Sequence, residues 1–197
     1  MDLRLGFLSS HNGSNVKVMV DAIYGKKLKA TPKVIISNNL DSQVLGFAKD
    51  SSIPRHCVNR ENTKQIGETM LTFFRSYDVN LVILAGYMKK LDDRVLEEYP
   101  NRVLNMHPAL LPKYGGKGMY GRRVHQAVIN SDDVESGATV HLVNSKYDDG
   151  RILTQYKVPR YEKDSVDTLA ERVLKIEHVL YVQTLMDIQN GFINLDL

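Results

Sequence analysis

The sequence predicts an α/β protein: a single-domain, Rossmann-like open sheet, mainly parallel, with helices on both faces. Three observations carry this. Short apolar or β-branched runs alternate with longer amphipathic stretches through the first half of the chain. The run Leu81-Val82-Ile83-Leu84-Ala85 is apolar at successive positions, as a strand covered on both faces must be. The segments between strands are of helical length, and crossovers of that kind join parallel neighbours.

Taken in order, residues 3–8 form the first strand, followed by Ser10-His11-Asn12-Gly13-Ser14-Asn15 and a helix over 16–24. A second strand spans 34–37 with a helix near 42–50, and a third spans 55–58 with a helix over about 64–77. The central strand 81–85 leads through a short helix at 93–99 to a strand that opens with Arg102-Val103-Leu104 and ends at Asn105. The pattern changes after Pro112: residues 113–123 carry Gly115, Gly116, Gly118 and Gly121 and are expected to be a mobile loop. A helix near 124–130 follows, then neighbouring strands at 139–143 and 152–158. The last helix starts near Ser165, which can cap it, and places Leu169, Val173, Ile176 and Leu180 on one face. There is no internal repeat, low-complexity segment or linker, so residues 1–197 are expected to form one domain.

Composition narrows the function classes. A hydrophobic content of 43% and a charged content of 25% are ordinary for a globular chain. The net charge is +3, and no basic cluster exceeds Lys26-Lys27 with Lys29, or Arg122-Arg123, which argues against a nucleic-acid groove. A few cationic positions suit an anionic small molecule instead. No apolar run approaches the ~18 residues of a membrane span, and the N-terminus lacks a signal-peptide core. The lone Cys57 excludes an internal disulfide framework and a cysteine-rich zinc site; it suits a small apolar position in a strand. Cytoplasm is the expected compartment. No histidine, cysteine or carboxylate set has metal-ligand spacing, and no serine sits in a G-x-S-x-G elbow.

The most informative stretch is Asn105-Met106-His107-Pro108-Ala109-Leu110-Leu111-Pro112. On a strand, residues i and i+2 face the same side, roughly 7 Å apart, and Pro108 removes a ladder donor. Asn105 and His107 are therefore expected side by side at a strand's C-terminal end, where open α/β sheets bind ligands. An amide donor beside an imidazole suits a reaction in which an oxyanion develops while a proton moves. Taken alone, His107 also fits a buried histidine satisfied by backbone.

Other segments admit two readings each. The Gly13 loop ahead of the first helix can offer free N–H groups to a phosphate, or it can be a capped helix start without ligand. It lacks both G-x-G-x-x-G and the Walker lysine. Asp148-Asp149-Gly150 is a turn signal, while Asp148 beside an imidazole would raise its pKa. Gly86-Tyr87-Met88-Lys89-Lys90-Leu91 can line a flat, mostly apolar pocket or be a plain strand-end loop. Glu177-His178 can be helix surface or site.

Together these segments resemble the phosphoribosylglycinamide formyltransferase family, folate-dependent enzymes of purine synthesis. The matching pieces are Asn12-Gly13-Ser14-Asn15, Ile36-Ser37-Asn38-Asn39, Leu84-Ala85-Gly86-Tyr87-Met88 and the stretch from Leu104 to Pro112. Gly137-Ala138-Thr139-Val140-His141, Tyr147-Asp148-Asp149-Gly150 and Glu177-His178 complete the match in the family's order. The resemblance implies a single formyltransferase domain that moves the formyl group of 10-formyltetrahydrofolate, a cosubstrate, to the amine of glycinamide ribonucleotide in de novo purine (IMP) biosynthesis. It implies that Gly13, Ser14 and Asn15 bind the ribonucleotide phosphate and that Glu177 helps place its amine. Lys64, Met88, Lys89, Lys90, Leu91 and Asn105 would bind folate, with residues 144–148 around the pterin. Asn105, His107 and Asp148 would be catalytic, Asn105 and a protonated His107 stabilising a tetrahedral intermediate while Asp148 raises the His107 pKa. No metal, nucleic acid or membrane is implied, and the protein is expected to be a monomer or homodimer. The chain departs from the family's pattern at His11 and Asp149, where glycine is common, and in its longer, glycine-rich 115–121 segment. Deformylase and methionyl-tRNA relatives carry an additional domain. A chain that opens on its first strand and closes after its last helix is expected to be neither.

Overall fold

In chain order the structure, a computed structural model that describes residues 2–196, runs β1 (Leu3–Leu8), α1 (Ser14–Tyr24), β2 (Ala30–Ser37), α2 (Gln43–Asp50), β3 (Arg55–Cys57), α3 (Ile66–Ser76) and β4 (Leu81–Leu84). It continues with α4 (Asp93–Glu98), β5 (Val103–His107), α5 (Arg122–Ile129), β6 (Glu135–Leu142), β7 (Ile152–Pro159) and α6 (Val166–Gln189). One sheet takes all seven strands in the order β3-β2-β1-β4-β5-β6-β7. The first five are parallel to their neighbours; β6 runs antiparallel to β5, and β7 antiparallel to β6. The strand order reverses between β1 and β4, so the loops after those strands diverge and leave a crevice at their C-terminal ends.

The period of two sorts the sheet's side chains. Leu3, Leu5 and Phe7 of β1, Leu81 and Ile83 of β4, and Leu104 and Met106 of β5 enter one core with α1 and α6. Leu8, Val34, Ile36, Val82, Leu84 and Val103 enter a second core with α3 and α4. Asn105 and His107 share the parity of Val103, so they lie on the α3/α4 face, opposite α6. On β6, Ala138, Val140 and Leu142 enter the first core, leaving Thr139 and His141 on the face of Asn105 and His107. Register then pairs Asn105 with His141 and His107 with Thr139.

The long α6 is started by a capping box between Ser165 and Thr168. It buries Leu169, Val173, Leu180 and Leu185, and the fully buried Tyr181 hydroxyl bridges the Leu84 and Leu104 carbonyls at 3.0 and 3.2 Å. That contact fixes the helix against the ends of β4 and β5.

Several boundaries differ from the sequence expectation, for one recurring reason. β5 runs through His107, β2 begins at Ala30, and β6 begins at Glu135. Ala30, Thr31 and Pro32 carry no apolar pattern, yet they pair with Leu3, Arg4 and Leu5 of β1. Pairing with a neighbour extends these strands beyond their hydrophobic runs. α1 and α5 each start two residues earlier than expected, directly after Gly13 and Gly121.

Candidate active site

A cavity of about 600 Å³ lies along the C-terminal ends of β1, β4 and β5. One end is built by the loop between β1 and α1. Gly13 is the N-cap of α1 with φ 63°, and no side chain caps the helix, so its first N–H groups have no protein side-chain partner there. The loop is thus a helix start without a side-chain cap. A Cβ on Gly13 would lie 2.3 Å from Val44 Cγ2, and the left-handed backbone disfavours any other residue as well. His11, Asn12, Gly13, Ser14 and Asn15 all line the cavity, with His11 and Asn12 exposed.

Across from that loop stands Glu177 of α6. Asn15 Nδ2 donates to its Oε2 at 2.8 Å, and burial pushes the carboxyl pKa up while the Asn15 hydrogen bond opposes the shift. His178, the other half of the pair seen in sequence, is not among the lining residues. Ser10 joins the first loop to the next: Met88 N donates to Ser10 Oγ at 2.8 Å, and Ser10 Oγ donates to Asn38 Oδ1 at 2.5 Å. This holds the turn after β4, where Gly86 takes φ 73°, against the cavity wall. Tyr87, Met88, Lys89, Lys90 and Leu91 line that wall with Leu84, Leu96 and Val143, giving an apolar slot with two lysines at its rim. Lys64 is exposed ahead of α3 and does not line the cavity.

The other end is built by side chains. His107 Nε2 donates to the Tyr114 carbonyl at 2.8 Å, since a carbonyl only accepts. Its Nδ1 lies 3.5 Å from Asp148 Oδ2. The second Asp148 oxygen is 3.7 Å from His141 Nε2, and Gly116 N donates to Oδ2 at 2.9 Å. Asp148 itself has φ 53°. The turn foreseen in sequence is present: a Cβ on Gly150 would lie 1.8 Å from the Leu142 carbonyl oxygen, so only glycine lets the loop return this closely.

His141 completes the cluster. Its Nδ1 donates to the Leu142 carbonyl at 2.8 Å, which leaves Nε2 with a lone pair for Asn105 Nδ2 at 3.1 Å. One amide hydrogen of Asn105 is thereby used, and the second stays available to the cavity. Sequence reasoning gave His141 no role, although the alternation Thr139, His141 in a strand signalled a shared face. It also missed Ser10 and His125, a buried cavity-lining residue of α5 whose Nδ1 has no hydrogen-bond partner.

The electrostatics correct one expectation. Burial is the largest influence on His107 and lowers its pKa; Asp148 and the Tyr114 carbonyl raise it, but do not reverse the direction. Resting His107 is thus mainly neutral at neutral pH, where the sequence suggested a histidine held protonated. His141 is likewise lowered by burial, and His125 is lowered to about 4 by burial and the neighbouring His107. Among the described residues, no group of three or more histidine, cysteine, aspartate or glutamate side chains could hold a metal ion, and no helix is long and apolar enough to cross a membrane.

This arrangement matches known proteins over nearly its whole length. The family described as "Formyl transferase" matches residues 3–185. The phosphoribosylglycinamide formyltransferase of Haemophilus influenzae is 34% identical over 181 residues, 90% of this chain and 83% of that protein. The chloroplastic enzyme of the same name from Arabidopsis thaliana is 37% identical over 184 residues, 91% of this chain but 63% of its own length, so the chain spans under two thirds of that plant relative. The crystal structure of phosphoribosylglycinamide formyltransferase from Anaplasma phagocytophilum superposes with a TM-score of 0.86 at 30% identity, covering 97% of this chain and 89% of that one.

Proposed function

The chain belongs to the formyl transferase family, and on that premise we propose that it transfers the formyl group of 10-formyltetrahydrofolate to the amine of glycinamide ribonucleotide, in de novo purine biosynthesis. The observation that carries this reading is one cavity with two unlike ends. An uncapped helix start faces an acid, Glu177, at one end; an amide, two imidazoles and a carboxylate meet at the other. Between them lies a slot of apolar side chains suited to a flat ring.

In this reading the N–H groups of Gly13, Ser14 and Asn15 hold the ribonucleotide phosphate. Burial raises the Glu177 pKa against the opposing Asn15 hydrogen bond, and a substrate amine arriving beside the carboxyl favours its charged form. Met88, Lys89, Lys90, Leu91 and residues 144–148 enclose the folate, and Lys64 serves only an outlying part of it. The amine attacks the formyl carbon, the charge develops on the formyl oxygen, and collapse of this tetrahedral intermediate breaks the bond from that carbon to the folate nitrogen. The free amide hydrogen of Asn105 points the chemistry to that oxygen, and a donor of this kind is worth about 3–4 kcal/mol in the transition state.

His107 takes the proton from the attacking nitrogen at Nδ1, because Nε2 already carries one for Tyr114. Asp148, 3.5 Å away, stabilises the imidazolium formed at that moment. The proton then passes to the departing folate nitrogen. A neutral resting imidazole with acceptors at both nitrogens suits a group that is charged only in passing. Residues 1–197 act as one formyltransferase domain in the cytoplasm in this proposal, with no metal.

The test is an acceptor screen with 10-formyltetrahydrofolate, following product for glycinamide ribonucleotide, water and an amino sugar. Rapid formylation of the ribonucleotide alone is expected. Formate release at a comparable rate without any acceptor would point to hydrolysis and sink the proposal.

A further inference from the structure

The turn after β5 holds two catalytic candidates from one short segment. The Tyr114 carbonyl accepts from His107 Nε2 at 2.8 Å, and two residues on Gly116 N donates to Asp148 Oδ2 at 2.9 Å. Residues 114–116 therefore decide which imidazole nitrogen is committed and where the carboxylate stands. Tyr114 adopts φ 58°, a left-handed conformation uncommon for a bulky residue, so something outside the segment must hold it.

That hold comes from its own phenol. The Tyr114 hydroxyl donates to Asp133 Oδ2 at 2.7 Å, with Ser131 Oγ also at 2.7 Å. Asp133 in turn accepts from Lys113 Nζ at 2.8 and 2.9 Å, and Ser131 Oγ donates to the Val128 carbonyl at 2.8 Å. The ring packs on the α1/α6 core. Tyr114, Asp133 and Ser131 do not line the large cavity. They stand outside that cavity and reach it through the Tyr114 carbonyl on His107 and Gly116 N on Asp148.

We propose that Tyr114, anchored through its phenol to Asp133, is a positioning residue for formyl transfer: it keeps its carbonyl on His107 Nε2 and so reserves Nδ1 for the moving proton. This rests on the reading of His107 as the proton carrier. Without the anchor the turn relaxes, the carbonyl drifts from the ring, and both tautomers of His107 become populated.

The experiment uses Tyr114→Phe, Asp133→Ala and the double variant. Small displacements at a reacting group are costly, so Tyr114→Phe should lower kcat about tenfold while KM for both substrates stays within about twofold. NMR titration of the ligand-free protein should show the His107 pKa lower than in the parent, because the Tyr114 carbonyl raises it. Asp133→Ala should repeat both effects from outside the turn, and the double variant should be no worse than either alone, as members of one network behave. Unchanged kcat and titration in Tyr114→Phe would overturn the anchor. So would a lost kcat with an unmoved His107 pKa and additive variants, the signature of general loosening. The titration needs no substrate, so failure of the formyl-acceptor reading would show in the acceptor screen and leave this readout intact.

Discussion

In the proposed reading the groups that meet a ligand at the α1 end of the cavity are mostly backbone, presented by one loop and one helix start in the parallel part of the sheet. At the β5–β6 end they are side chains, brought together by an antiparallel pair that sets Asn105 beside His141, 36 residues on, and by the loop that carries Asp148. The difference has a physical consequence. Backbone N–H groups at an uncapped helix start are pre-aimed and cannot titrate, so they suit holding an anion of fixed charge. An imidazole can gain and lose a proton, and a neighbouring carboxylate stabilises the cation while it lasts, so they suit a step in which charge appears and vanishes. Damage to the first end should therefore be read in binding, and damage to the second in turnover.

The largest effect is expected at the second end. Asn105→Ala and His107→Ala should each lower kcat about a hundred- to a thousandfold, with the ribonucleotide KM within about threefold. Near-normal turnover in either folded variant would erase the contrast between the ends.

Acid should also strike this end first. His107, His125 and His141 all have pKa values lowered by burial, so each is held neutral in the fold and must charge as pH falls. Their contribution to stability is present above the unfolded value near 6.5 and is lost as pH falls through the folded values. For His125, displaced to about 4, the loss amounts to roughly 3 kcal/mol once pH is below that value. Denaturant melts between pH 7 and 4 should show the decline, and His125→Phe, which removes the titration and an unpartnered nitrogen, should flatten it. An identical pH profile in that variant would show that other groups govern acid unfolding.

Asp148→Asn probes the charge alone. It removes a negative charge that raises the His107 pKa, so that pKa, already lowered by burial, should fall further. Turnover at neutral pH should drop about ten- to a hundredfold, with the ribonucleotide affinity nearly unchanged. If NMR shows His107 titrating as before while activity is lost, Asp148 positions the folate or a water instead.

The smallest contrast is at the α1 end. Gly13→Ala forces a Cβ toward Val44 in a left-handed backbone, so it should weaken ribonucleotide binding about tenfold and cost about 1–3 kcal/mol of stability. Folate binding should stay close to normal. A bulkier residue at Gly13 would collide with α2 before it met any ligand, so it tests packing more than recognition. Equal loss of both ligands in Gly13→Ala, measured by calorimetry, would mean the two ends are not separable.

The sequence by itself determined the parallel α/β class, the order of its elements and the pairing of Asn105 with His107 on one face. These follow from local periodicity: two in strands, near 3.6 in helices, with Pro108 closing β5. It also marked Gly13 and Gly150, because tight returns and left-handed turns need glycine whatever the fold around them. Only the tertiary structure decided that β6 lies antiparallel beside β5, which sets His141 against Asn105. It alone decided that Tyr114 and Gly116 clamp His107 and Asp148, and that Lys64 lies away from the cavity. The direction of the His107 pKa belongs to the same class. A carboxylate neighbour can be foreseen from a motif, but burial is a property of the assembled surroundings, and here burial outweighs the charge.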